Sequence, residues 1–257
     1  MTKRAVYYRP VIATREKLVS PAEYVTYVEN VPTKFGPELL VPEEVLDYFR
    51  KCPGGYPEQP LIEWAGQFLH ERSVFVDVGA HCGTWCLTLA PRCQSVQAFE
   101  PQRENYSLLR AGVMLNGLDS KIRTHRFALS DDYGDGTLRI RSADGGGSSI
   151  KVLRDPQPII NEERIRTNTL DRLLGREPRI DLIKIDAEGS ELDVIRGARA
   201  TITASRYPPI VFEAWGAEWY RDQRQYLFDY LGSLGYRVEP INMYGEMFLA
   251  THPIRSK

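Results

Sequence analysis

The sequence predicts a doubly wound α/β fold: a seven-stranded, mostly parallel sheet with an N-terminal cap and an inserted hairpin. Three observations predict it. From Val74 onward, short apolar runs alternate with longer stretches of helical spacing, the pattern of a parallel sheet with crossover helices. The first run, Val74 to Val78, stops at a turn containing Gly79 and Gly83 that leads into a helix, as at the ligand crevice of an open sheet. No repeat of about 20 to 50 residues is visible, which removes solenoids and propellers.

In order, the strands fall at 74–78, 95–100, 122–128, 181–186, 209–214, 236–240 and 246–250, the last two close enough to pair antiparallel. Helices fall near 83–90, 102–115, 168–174, 190–203 and 219–234; the last carries Tyr220, Gln223, Leu227, Tyr230, Leu231 and Leu234 at helical spacing before Gly235. Residues 1–72 carry prolines at 10, 21, 32, 37, 42, 53, 57 and 60, which limits them to short elements, with helices over 43–50 and 61–71. They form the cap, and 73–257 the main domain. The stretch 131–167, with Gly134, Gly136 and the run Gly145-Gly146-Gly147-Ser148-Ser149, breaks the rhythm and reads as a hairpin, either a surface excursion or a cover for the substrate.

A chain of 257 residues suits one core with some elaboration, and 42% hydrophobic with 26% charged residues is ordinary globular usage. A net charge of −1 gives no global field for nucleic acid or an anionic membrane, so the expected partner is a small molecule, with room for a homo-oligomer. No apolar run is long enough to span a bilayer, and the basic start lacks the apolar core of a secretory signal, so a cytoplasmic location is expected. Cysteines at 52, 82, 86 and 93 have no C-x-x-C spacing and read as reduced, packed thiols rather than a zinc site.

In the turn, Gly79 lets the backbone bend tightly against a ligand and Gly83 lets the new helix pack close. The spacing is G-x-x-x-G, with His81 where a dinucleotide fingerprint needs a glycine for the pyrophosphate. This favours a nucleoside without phosphates. Glu100 follows at the end of the next strand, where an acceptor-only carboxylate takes hydrogen bonds from a ribose diol; by itself it would read as a solvated strand end. His81 is expected to shape the loop or bond the ligand rather than to act as a base.

The segment from Asp181 to Asp193 delivers Asp186 and Glu188 to the same crevice, and Ser190 with Asp193 reads as a capping box for the next helix. Lys184 shares the strand face of Asp186; it either neutralises that carboxylate or snorkels past the covering helix, and a structural role is favoured. Glu213 ends a further strand. Asp186, Glu188 and Glu213 together suit a base for a hydroxyl or a divalent cation such as magnesium, with Asp186 and Glu213 as the metal ligands, although neither spacing nor composition requires a metal.

The motifs VDVGAHCG at 76–83, FEPQRENYSLLRAGVMLNG at 99–117, TLDRLL at 169–174 and DLIKIDAEGSELDVIRGA at 181–198 occur in this order. In them the chain resembles the FkbM family of methyltransferases, over roughly residues 73–214, within the Rossmann-like class I enzymes that use S-adenosylmethionine. DAEG is the most specific piece. The resemblance implies that Asp77, Gly79, Ala80, His81 and Gly83 line the methionine end of S-adenosylmethionine, with Glu100 on the ribose and Ser130 and Asp131 near adenine. It implies that Asp186, Glu188 and Glu213 border the acceptor hydroxyl of a sugar, polyketide or other natural product, making the chain an O-methyltransferase.

Three readings compete. An NAD-dependent oxidoreductase shares the glycine turn and Glu100, but His81 and the lack of a Tyr-x-x-x-Lys pair oppose it. An RNA 2′-O-methyltransferase would use Lys184, Asp186 and Glu213, but near-neutral charge gives it little phosphate affinity. A nucleoside-binding domain without catalysis keeps the fold and loses the reaction.

Overall fold

The computed structural model describes residues 4–8, 24–142, 146–154, 157–174 and 179–255. Pro10, Pro21 and Gly145 lie outside them. In chain order the elements are β1 (Arg4–Tyr8), β2 (Tyr24–Pro32), β3 (Glu38–Pro42), α1 (Leu46–Lys51), α2 (Gln59–Ala65), β4 (Val74–Val78) and α3 (Thr84–Leu89). Then come β5 (Ser95–Phe99), α4 (Arg103–Leu115), β6 (Ile122–His125), β7 (Ala128–Leu129), β8 (Gly134–Ile140) and β9 (Asn161–Asn168). The rest are α5 (Leu170–Leu174), β10 (Leu182–Ile185), α6 (Glu191–Gly197), α7 (Arg199–Ala204), β11 (Ile210–Glu213), α8 (Arg221–Ser233), β12 (Arg237–Pro240) and β13 (Met247–Thr251).

The central sheet runs β12-β13-β11-β10-β4-β5-β6. Pairs from β11 to β6 are parallel, while β13 is antiparallel to both β11 and β12. This is the doubly wound, Rossmann-like, mostly parallel seven-stranded sheet that the sequence predicts, and the strand order reverses between β4 and β10, where an open sheet has its crevice. Strand alternation divides the core in two. Val74, Val76, Val78, Ile183, Ile185, Ile210 and Phe212 pack on one face with α6 and α8, and Phe75, Leu182 and Val211 pack on the other. Asp77 and Lys184 are register partners, and by the same alternation they point to the second face.

That second face is covered by α3, α4 and the N-terminal segment, whose Leu39, Val41, Phe49, Leu61 and Ile62 are buried in the same cluster as Phe75, Trp85 and Leu87. Residues 24–69 therefore share the core of the main sheet instead of burying one of their own. Asn116, at the end of α4, ties β3 down: its Oδ1 accepts from Glu38 N and its Nδ2 donates to Glu38 O, both at 2.8 Å. The pattern did not resolve the three-stranded antiparallel sheet β1-β2-β3, because proline-rich segments lack a clean period.

Three elements differ from the sequence reading. The run 122–128 is not one strand: β6 ends at His125, and β7 joins β9 and β8 in a separate three-stranded sheet. The antiparallel β8–β9 pair is the expected inserted hairpin. The helix expected over 190–203 divides into α6 and α7 at Ala198, which leaves helical geometry at φ −108° and ψ 3°. The helix expected over 61–71 ends its α-helical part at Ala65 and tightens into a 3₁₀ turn, Gly66–Phe68. No helix of the described residues is long and apolar enough to cross a membrane. Cys82, Cys86 and Cys93 are buried and Cys52 is half-buried.

Candidate active site

Beyond the C-terminal ends of β4, β5 and β10 lies a cavity of about 280 Å³. Its floor is the turn after β4. Gly79 takes a left-handed conformation (φ 74°), and a Cβ there would also stand 1.8 Å from the carbonyl oxygen of Asp186. The backbones leaving β4 and β10 thus touch, and only a residue without a side chain fits. Gly83 (φ 103°) is constrained differently: its missing Cβ leaves room for Leu87 and Leu109, so the close packing is between α3 and α4.

Lys184 locks this floor. Its ammonium, on a side chain only 2% exposed, donates to Gly79 O at 2.7 Å and Val78 O at 3.3 Å. It also lies 3.7 Å from Asp77 Oδ1 and 3.4 Å from Asp186 Oδ2. Burial works against the charge, but Asp186, Asp77 and Glu58 outweigh it and raise the Lys184 pKa above the ordinary lysine range. The side chain does not snorkel; its one charge is shared between two carboxyl groups and it anchors the turn. Asp77 is fully buried, and its Oδ2 accepts from Cys86 N at 3.0 Å, so it braces the start of α3 beneath the cavity. Burial raises its pKa, against the pull of Lys184.

Among the other residues expected at a cofactor, Gly79, His81 and Glu100 line the cavity. His81 has φ 53°, and its backbone N–H donates to Glu100 Oε2 at 2.8 Å while Gln102 N–H donates to Oε1 at 2.8 Å. Burial lifts Glu100 to about 7, against these two bonds. Ala80 and Gly83 belong to the turn behind the lining: Ala80 N–H donates to Phe99 O at 2.9 Å, and Gly83 N–H to Ala80 O at 2.8 Å. Ser130 and Asp131 are not in the lining, which takes Phe127, Ala128 and Leu129 from that stretch; β7 turns these residues toward the inserted sheet and leaves Ser130 Oγ bonded to Asp131 Oδ1 at 3.3 Å.

Asp186 and Glu188 also line the cavity, whereas Glu213 is not in its lining. Oxygens of Asp186, Glu188 and Glu213 lie within 4.8 Å of one another, so the structure brings this predicted trio together. Burial, then Asp186, pushes Glu213 well above the usual carboxylate range, the result of crowding several acids into one corner. The expected capping box does not form. Ser190 Oγ is buried without a hydrogen bond, and Glu191 does the work instead, its Oε1 accepting from Ala187 N and Gly189 N at 3.0 and 3.1 Å. Tyr220 donates to Glu191 Oε2 at 3.0 Å, fixing the loop that carries Asp186 and Glu188.

Sequence reasoning missed Tyr48, Phe49, Pro57 and Glu58 of the N-terminal segment and Leu138 and Ile150 of the insertion as lining residues; Ser148, also in the lining, belongs to the glycine-rich run offered as a cover. Ser148 Oγ donates to Gln102 Oε1 at 3.1 Å and Ser149 Oγ to Glu188 O at 2.6 Å, so the insertion is fastened to both walls. Neither group lies in a motif or at a strand end, the two signals a sequence offers for a crevice.

Comparison with known proteins gives a match of residues 77–238 to the family model described as the methyltransferase FkbM domain. "Methyltransferase 1" of Beauveria bassiana (strain ARSEF 2860) is 24% identical over 149 residues, 49% of this chain; the match spans 58% of that relative's length. Among solved structures, the methyltransferase FkbM from Methylobacillus flagellatus KT superposes with a TM-score of 0.47 at 16% identity, over 76% of this chain and 59% of that one. The Pyrococcus abyssi tRNA (uracil-54, C5)-methyltransferase bound to S-adenosyl-L-homocysteine gives a TM-score of 0.46 at 13% identity, over 96% of this chain and 50% of that one.

Proposed function

Since the chain belongs to the FkbM methyltransferase family, we propose that it transfers a methyl group from S-adenosylmethionine to a hydroxyl oxygen of a small organic acceptor. The observation that carries this reading is Asp186. Its carboxylate shares one cavity with the Gly79 turn and Glu100 and is held at 3.4 Å by the Lys184 ammonium.

The residues fit the cofactor. Glu100 keeps lone pairs free for a ribose diol after accepting two backbone bonds. Phe99, Ala128, Leu129, Leu138 and Ile150 supply apolar walls for a base. The Gly79 turn, which lines the cavity between Glu100 and Asp186, would receive the methionine end. When bound, the cofactor supplies an electrophilic methyl on a positively charged sulfur.

Asp186 then orients the acceptor hydroxyl and accepts its proton as the oxygen–carbon bond forms and the sulfur–carbon bond breaks. Lys184 keeps Asp186 aimed, Glu188 completes the acceptor wall, and Glu213 supports the pair from within 4.8 Å. Holding oxygen, carbon and sulfur in line supplies much of the acceleration, about 7–11 kcal/mol in favourable cases. The acceptor is a hydroxylated natural product such as a sugar or polyketide.

Calorimetric titration tests this first. Micromolar binding of S-adenosylhomocysteine followed by methyl transfer to an alcohol supports the reading, while binding of NAD instead overturns it. A divalent cation on Asp186 and Glu213 is the second reading, favoured by the 4.8 Å convergence of the trio. Activity that survives EDTA discards it.

A further inference from the structure

Glu58 stands at the N-terminus of α2 with φ 59°, a left-handed conformation that Glu rarely adopts. Its side chain does not cap that helix. It enters the cavity that Lys184, Asp186 and Glu188 line. There the buried Trp85 indole N–H donates to Oε2 at 2.8 Å. Among the described residues Glu58 forms no ion pair within 4 Å, so neither helix capping nor ion pairing, the common structural uses of such a residue, accounts for its place. A strained backbone at a cavity wall points to a functional position.

We propose that Glu58, carried in by the N-terminal segment, is a further acceptor-binding carboxylate, and that with Asp186, Glu188 and Glu213 it selects neutral or amine-bearing polyhydroxylated acceptors over anionic ones. The inference rests on the assignment of Asp186 to the acceptor hydroxyl. Its geometry follows from the fold: Asp77, Lys184 and Asp186 share one sheet face, and the N-terminal segment covers that face. One lysine cannot neutralise Asp77, Asp186 and the remaining acids together, so the acceptor space stays electronegative. Burial and the neighbouring Asp186 push the Glu58 pKa up, against Lys184 and the Trp85 indole. Hydroxyl or ammonium hydrogens of an acceptor can donate to its carboxyl oxygens; a carboxylate or phosphate on the acceptor meets repulsion.

The test is methyl transfer, in the presence of EDTA, to a panel of methyl hexosides, amino hexosides and hexuronates, using the full chain and its E58Q and E58A variants. E58Q keeps an oxygen for the Trp85 indole, so it guards against misfolding. The wild-type protein should use neutral and amino sugars and reject hexuronates. E58Q should raise KM for the amino sugars at least fivefold and narrow the discrimination against hexuronates about tenfold, with S-adenosylhomocysteine affinity within twofold of wild type. Hexuronates used as well as their neutral counterparts, or E58Q with wild-type KM and discrimination, would overturn the proposal. Failure of the underlying reading shows separately, as D186N retaining kcat on the same panel.

Discussion

Lys184 on β10 donates a hydrogen bond of 2.7 Å to the carbonyl oxygen of Gly79, the residue that follows β4, and so joins the two halves of the sheet beneath the cavity. The same ammonium is the counter-charge for Asp77 and Asp186. Removing it leaves buried acids uncompensated. Lys184→Met should therefore destabilise the protein by about 3–5 kcal/mol, the usual cost of breaking a buried pair. Urea unfolding measures this; a loss below about 1 kcal/mol would mean that the three groups contribute independently.

Gly79 tolerates no side chain, because a Cβ would meet Asp186 O at 1.8 Å. Gly79→Ala should force the turn and the β10 end apart and weaken S-adenosylhomocysteine binding more than tenfold. Calorimetry on the purified variant decides; wild-type affinity would show that the floor relaxes without cost.

Asp186→Asn keeps the shape of the side chain and removes its basicity. We expect kcat to fall by about 10²–10⁴, the range for a positioned proton acceptor, while S-adenosylhomocysteine affinity changes little. Steady-state kinetics beside titration separates these. An equal loss in both would assign Asp186 to cofactor binding.

Glu100 has its pKa raised to about 7 by burial, so its charge changes near neutrality. Above that pH the ionised carboxylate accepts hydrogen bonds from a ribose diol; below it, a proton occupies one acceptor position. Affinity for S-adenosylhomocysteine should rise as pH increases through about 7. In Glu100→Gln the profile should be flat and the affinity lower throughout. A wild-type profile that falls across this range contradicts the assigned role.

The ligand-free fold carries a linked signature. Glu100 and Glu191 both have folded pKa values of about 7, raised by burial from 4.5. Each folded carboxyl holds its proton more tightly than the unfolded one, so its contribution is full below pH 4.5 and is lost as pH rises through about 7. Glu191→Gln should remove part of the fall in Tm over that window; an unchanged Tm profile would show that Tyr220 and the backbone donors already stabilise the ionised form.

How far the sequence was legible depends on how local each signal is. The seven strands of the main sheet and their flanking helices were readable because buried parallel strands are short apolar runs and helices repeat every 3.6 residues. That Gly79, His81, Glu100, Asp186 and Glu188 line one cavity was legible because each sits at or just beyond a strand end, where an open sheet keeps its crevice; that Asp77 is buried beneath it and Glu213 lies outside its lining was not. The split at Ala198, the turn of β7 away from β6 and the replacement of the Ser190 capping box by Glu191 were not, because each depends on partners distant in sequence.

By itself, then, the sequence determined the alternation of strands and helices, the glycine turn that ends β4 and the acids at the strand ends, all products of periodicity and short-range turn chemistry. Only the tertiary structure decided what closes the site. It turned Lys184 inward to hold Gly79, brought Glu58 and its Trp85 partner over the same sheet face, and fastened Ser148 and Ser149 across the cavity to Gln102 and Glu188. Those contacts join residues 27 to 105 positions apart. No periodic pattern encodes such pairs; they arise when separate segments bury their apolar faces on one sheet and their polar atoms must find partners where they meet.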